Sequence, residues 1–416
     1  MPSLNVVHEL YAGLTRFSGR GVVPDLAQSW DVEQGGLVWV FHLRENLRWS
    51  DDRRLTARDF RHAWLRALAP ATKAPLAGPD LGIIRGARAY HATGRGAIGI
   101  QALDDRTLRV TLQHPIPWLD QLVAYPIAAP FRPDAYSGPF RLTGRSTLER
   151  NFNYWNLDAV RPSRLVFTTQ TKGADAILPR GLLPPGLPWV ATAKRPSGAR
   201  WKPLPTLSVG LLWITTRLPA HERASIADRA GDESLQGLVP LAMPGRERLI
   251  SQDTVSHTNP QPARRSLAYT TEAPAASTRA EEIGEALAKD GVTVERIAFP
   301  SLQALLRAKG FDLVLLGWSS KIFDEYNFLD LFPCGSAFNL VHWCDPSYGA
   351  LMRRAVRTLD DAARWRIERR ILVELRTAAP VVPVYQESEY VWIRPGVRGF
   401  AWSPIGFYEL AGMTRS

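Results

Sequence analysis

Leu26 to Ala69 reads LAQSWDVEQGGLVWVFHLRENLRWSDDRRLTARDFRHAWLRALA, and three local patterns follow one another in it. Leu37, Trp39, Phe41 and Leu43 alternate with Val38, Val40 and His42, the period of a strand with one strongly apolar face. A polar turn, Trp49-Ser50-Asp51-Asp52, follows. Thr56 then stands before a helical pattern, and Asp59 three residues on completes a capping-box spacing with an acid near the positive helix end. Phe60, Trp64 and Leu68 recur every four residues and give that helix one buried face.

The chain of 416 residues, 45% of them hydrophobic, is long enough for two or three domains, each with its own core. No apolar run of about 18 residues or more is present, so no membrane span is expected. The opening MPSLNVVHEL has neither a basic start nor a long apolar stretch, so no export signal is read in it. The formal net charge of +11 raises a nucleic-acid reading. The basic residues are mostly Arg, scattered among acids, and the densest cluster, Arg364 to Arg370, is expected on the solvated face of a helix. No helix-turn-helix, zinc-finger spacing or aromatic RNA-binding pattern accompanies it, which argues against a nucleic-acid partner.

Outward from the opening stretch, IGIQALDDRTLRVTL predicts a hairpin turning at Asp104 and Asp105. Pro/Gly clusters such as LPRGLLPPGLP mark loops between Leu165 and Ser251. Leu267 to Tyr269 predicts a strand, AEEIGEALAKDGV an amphipathic helix and VTVERI a second strand, an order that implies a parallel sheet in an α/β fold. Leu313 to Leu316 reads as a strand buried on both faces. Gly317 ends it, and polar and aromatic residues follow at the carboxyl end, where open α/β sheets place ligands. Asp360 to Leu375 predicts a helix, and Ala379 to Ile393 a strand.

Catalysis requires a nucleophile, a base and a stabiliser that converge. The eight His show no H-E-x-x-H spacing, and neither G-x-S-x-G nor a phosphate loop occurs. His62 is expected on a helix surface and His114 beside a strand end. No catalytic, cofactor or metal site is therefore read in the chain.

Several of these segments together resemble the peptide-delivering, extracellular solute-binding proteins of ABC importers, family 5. The resemblance rests on Ala27, Ser29, Trp30, Phe41, Leu43, Arg44, Trp49, Ser50, Asp51, Leu55, Thr56, Ala57, Asp59, Phe60, Trp64, Arg66, Ala67 and Leu68. It rests also on Gly138, Pro139, Phe140, Leu142, Leu148, Arg150, Asn151, Tyr154 and Trp155, and on Val397, Gly399 and Phe400. LNVVHELYAGL is similar to the family's opening helix, with the strand that precedes it missing. Asp52 stands where the family has a turn Gly, so a turn of different shape is expected.

The resemblance implies a periplasmic-binding-protein-like fold (type II, large three-domain cluster), with two lobes around a cleft that closes on ligand. Domain I would comprise residues 1–35, 136–245 and 394–416, domain II residues 36–135 and domain III residues 246–393. The implied partners are a peptide or related small solute and ABC permease subunits, with a monomeric periplasmic protein. A cytoplasmic or degenerate ligand-sensing homologue is the alternative.

The same resemblance places the ligand at Gly317, Trp318, Ser319, Ser320, Lys321, Asp324, Tyr326 and Asn327, with Tyr385 and Gln386 bordering the cleft or, for Tyr385, lying in the core. Peptide-binding relatives use an acid at the position of Lys321 to hold the ligand's ammonium. A cation there exchanges attraction for repulsion. Three readings stay open: Lys321 meets an anionic group, Asp324 takes over the ammonium, or Lys321 points into water. Cys334 and Cys344, the only two cysteines, match a pair bridged in dipeptide-binding relatives, and a disulfide is expected.

Overall fold

The computed structural model describes residues 4–74, 77–168, 176–177, 202–231, 238–240, 242–243, 262–272, 274–308, 310–336 and 338–415. The Pro/Gly-rich stretch 178–188 lies outside them. The chain divides into two compact units, Met1–Leu204 with Glu389–Ser416, and Pro205–Ser388.

In the first unit, β1 (Ala27–Glu33), β2 (Val38–Leu43), β3 (Ile100–Ala102) and β4 (Thr107–Thr111) form an antiparallel sheet in the order β1-β2-β4-β3. The expected strand is present, but both of its faces are covered: Val38 and Val40 are buried as well as Trp39 and Phe41. A central strand with a covered second face needs apolar residues at every position, and here only His42 breaks the run. The hairpin between β3 and β4 turns where expected, with the Arg106 amide donating to the Asp104 carboxylate at 2.7 Å.

Helix α1 (Ala57–Leu68) begins at the Thr56–Asp59 pair, whose carboxylate accepts from the Thr56 amide at 2.8 Å. It buries Phe60, Trp64 and Leu68, and Trp64 Nε1 donates to the Ala128 carbonyl at 2.7 Å. Asp52 adopts φ of 70°, the left-handed region that glycine reaches without steric cost and that Asp tolerates.

The Asn151-Tyr154-Trp155 motif has an internal role. Asn151 Nδ2 donates to the Gly138 carbonyl at 2.9 Å, while Tyr154 Oη and Trp155 Nε1 donate to Asp25 at 3.2 and 2.7 Å. Arg44 stacks on Trp155, its guanidinium carbon 3.6 Å from the ring centroid. Burial pushes the Asp25 carboxyl up to about 6 against the pull of these donors and of Arg16 and Arg44.

The second unit is built on a mixed sheet. β5 (Lys202–Ile214) enters it, followed by α2 (Ala220–Ala230), β6 (Ala263–Thr270), α3 (Pro274–Ala288), β7 (Val292–Phe299), β8 (Leu313–Ser319), the single turn α4 (Tyr326–Leu329), α5 (Pro346–Ala355), α6 (Asp361–Ala378) and β9 (Val381–Ile393). The strand order is β9-β5-β8-β6-β7. The strand-helix-strand unit β6-α3-β7 is parallel, as its sequence implies, and β6 is parallel to β8 as well. β5 runs antiparallel to β8, so the sheet is mixed rather than wholly parallel. Leu212, Leu267, Ile283, Leu287, Leu313 and Leu315 join in one core between sheet and helices.

Candidate functional site

The carboxyl end of β8 is where the sequence predicts a ligand, and its backbone is arranged as follows. The Thr215 amide donates to the Asp312 carbonyl at 2.9 Å and the Ser320 amide to the Leu207 carbonyl at 2.8 Å. Peptide groups of a strand alternate sides, so the even-numbered residues from 312 to 320 face β5 and the odd-numbered ones face away. On that other side β6 pairs only as far as Leu315. Beyond it, among the described residues, no strand pairs with Gly317 or Ser319 on the side away from β5, and both are exposed. An open strand edge of this kind offers alternating donors and acceptors to an extended chain.

Around this edge the expected residues separate into two groups. Ser319 Oγ lies 2.7 Å from Ser208 Oγ of β5, a cross-strand hydroxyl pair. Trp318 is half-buried, its Nε1 donating to the Asn327 carbonyl at 3.1 Å and its ring meeting Phe338 edge-on at 5.1 Å. The Lys321 side chain is exposed, and its amide donates to Asn327 Oδ1 at 3.0 Å. These residues stand at the edge. Ser320 is buried, its hydroxyl donating to the Ile322 carbonyl at 2.7 Å. Tyr326 is half-buried, and its hydroxyl donates to Asp330 at 3.3 Å.

Asp324 is not at the surface. It is 1% exposed and accepts from Arg364 Nε at 2.8 Å, with Arg364 Nη2 at 2.7 Å. Its other oxygen accepts the Tyr326 amide at 3.0 Å. The reading in which Asp324 takes over the ammonium, one of the three left open, calls on a carboxylate that is buried and paired with an arginine. Arg364 corrects an expectation: it is buried, not part of a solvated basic face. Besides Asp324 it binds Asp361 at 2.6 Å and the Thr358 carbonyl at 3.0 Å.

Burial raises the Asp324 carboxyl while Arg364 opposes the rise. Glu368, fully buried one turn along α6, is pushed up to about 10 by burial and by the charge of Asp324. Glu368 thus keeps its proton at neutral pH beside the Arg364–Asp324 pair.

Tyr385 is also withdrawn. It is 5% exposed and belongs to the core of the second unit, packed so closely over Gly210 that a Cβ there would lie 2.0 Å from its ring. Gln386 is half-buried beside it, Nε2 donating to the Thr206 carbonyl at 3.4 Å. Sequence reasoning missed Ser208, Arg364 and Phe338. Ser208 sits where the resemblance fades, and nothing local marks Phe338 or Arg364, whose partners are distant in the chain.

Cys334 and Cys344 are bridged, their Cα atoms 4.7 Å apart. Within the loop they close, Asn339 is buried, its Nδ2 donating to the Phe332 carbonyl at 3.1 Å and its Oδ1 accepting the Trp343 amide at 3.2 Å. Among the described residues no group of three or more His, Cys, Asp or Glu is placed to hold a metal ion, and no helix is long and apolar enough to cross a membrane.

Residues 21–178 match the profile described as "Bacterial extracellular solute-binding proteins, family 5 Middle". Over 95% of its length the chain is 24% identical to the "Probable deoxycholate-binding periplasmic protein YgiS" of Escherichia coli (strain K12), covering 86% of that protein. It is 33% identical to the "Periplasmic oligopeptide-binding protein OppA" of Salmonella typhimurium over 38% of this chain and 33% of that one. Among solved structures, the unliganded open form of the periplasmic murein tripeptide binding protein MppA superposes with a TM-score of 0.80 at 19% identity, covering 98% of this chain and 93% of that one. Haemophilus influenzae OppA in complex with RPPGFSPFR does so with a TM-score of 0.68 at 19% identity, over 99% and 94%. The shared fold is thus a family 5 periplasmic-binding-protein fold.

Proposed function

We propose that the chain, whose residues 21–178 match the profile of the family 5 extracellular solute-binding proteins, binds a peptide or related small solute and delivers it to the permease subunits of an ABC importer. The observation that carries this reading is the open edge of β8 at Gly317 and Ser319, whose peptide groups face a side left unpaired among the described residues. Two of the relatives are named for deoxycholate and for oligopeptides. The protein acts as a monomeric binder without catalysis, in an oxidising compartment compatible with the Cys334–Cys344 bridge.

The strand end carries a lysine where amine-binding relatives carry an acid, and Asp324 is committed to Arg364. The solute therefore presents a neutral or anionic group to Lys321 rather than a free ammonium. Native mass spectrometry of the chain, produced in a bacterial periplasm and purified without denaturation, reads retained solutes directly. Calorimetry with free and N-acetylated tripeptides and with deoxycholate completes the test. Retained peptide or acidic masses, with N-acetylated probes bound more tightly than free amines, support the proposal. An empty protein that binds none of these probes overturns it, and tighter binding of free amines overturns the role given to Lys321.

A further inference from the structure

We propose that Phe338 is a specificity-determining residue which, with Trp318, forms an aromatic seat for a flat apolar side chain of the bound solute. The proposal rests on the solute-binding reading above and adds the class of side chain selected. Phe338 is 48% exposed, and a single exposed aromatic on a loose loop would need no explanation. Its loop is not loose. The Cys334–Cys344 bridge closes it, and Asn339, the next residue, is buried and ties it to Phe332 and Trp343. Chain and disulfide hold Phe338 outward.

What the ring meets is the strand end. It lies edge-on to Trp318, centroids 5.1 Å apart at 66°, and the indole is fixed by its bond to the Asn327 carbonyl. Side chains alternate along β8, so Trp318 projects to the face opposite that of Gly317 and Ser319. An extended ligand paired with the peptide groups of Gly317 and Ser319 turns every second side chain toward that face. There it meets a pre-positioned aromatic pair with one ring still half open, a contact that favours another flat apolar group.

Calorimetry with the full chain tests this, using free and N-acetylated Ala-Ala-Ala tripeptides with Phe or Gly substituted at each position in turn. The wild type is expected to bind one Phe-containing tripeptide about tenfold more tightly than its Gly counterpart. Phe338→Ala should bring that preference down about three- to tenfold and leave the Gly peptide within about twofold, while Phe338→Tyr retains it. Reduction of the bridge should act in the same direction as Phe338→Ala, because it frees the loop. A preference that survives in Phe338→Ala, or a wild type that binds Phe and Gly peptides equally, overturns the inference while leaving solute binding intact. A wild type that binds no tripeptide at all removes peptide binding itself, and the inference with it.

Discussion

Arg364 Nη2 stands 2.7 Å from a carboxylate oxygen of Asp324, with the two side chains 5% and 1% exposed. The pair joins α6 to the segment that follows β8, so the chain just beyond Lys321 is tied to α6 by an almost wholly buried charge pair. Removing one partner leaves the other charged and buried. Arg364→Met and Asp324→Ala should each cost about 3–5 kcal/mol in urea unfolding. A loss below about 1 kcal/mol for both would mean that the pair does not anchor the segment.

Glu368 sets a pH dependence of definite sign. Its carboxyl, ordinarily near 4.5, is raised to about 10 in the folded chain. Between those values the folded state keeps a proton that the unfolded state releases, so this group's contribution falls as pH rises through the window. Glu368→Gln keeps the neutral form at every pH. It should stabilise by about 1 kcal/mol or more at pH 8 and have little effect near pH 4.5, measured as melting temperature against pH. A substitution that destabilises equally at both pH values would contradict this assignment.

The bridge between Cys334 and Cys344 closes a short loop. Replacing both by Ser should lower stability by about 2–3 kcal/mol, the chain-entropy cost expected for a loop of this size. Thiol titration of protein from an oxidising compartment should find no free thiol before reduction. Two titratable thiols in the native protein would show the bridge to be absent.

Gly210 leaves the space that Tyr385 fills, since a Cβ at that position would lie 2.0 Å from the ring. Gly210→Ala should force the ring out of the core and cost about 1–3 kcal/mol. Combining it with Tyr385→Ala should give much less than the sum of the single losses, because the two share one clash. Additive losses in a double-mutant cycle would argue that the ring does not rest on Gly210.

The sequence by itself determined the elements whose causes are local. The Leu26 to Ala69 stretch showed strand and helix because alternation and four-residue recurrence are written in neighbouring residues, and the Thr56–Asp59 spacing marks a helix start wherever it stands. The parallel unit β6-α3-β7 was legible for the same reason, and the cysteine pair through its motif. Only the tertiary structure decided that Asp324 and Tyr385 turn inward, that Arg364 leaves its basic cluster to neutralise Asp324, and that Phe338 comes to Trp318. Each depends on residues 20 to 175 positions apart meeting in space. A charge or an aromatic ring looks the same in a sequence whether it faces water or a partner. Burial, which decides between the two, is a property of the folded packing and not of the local chain.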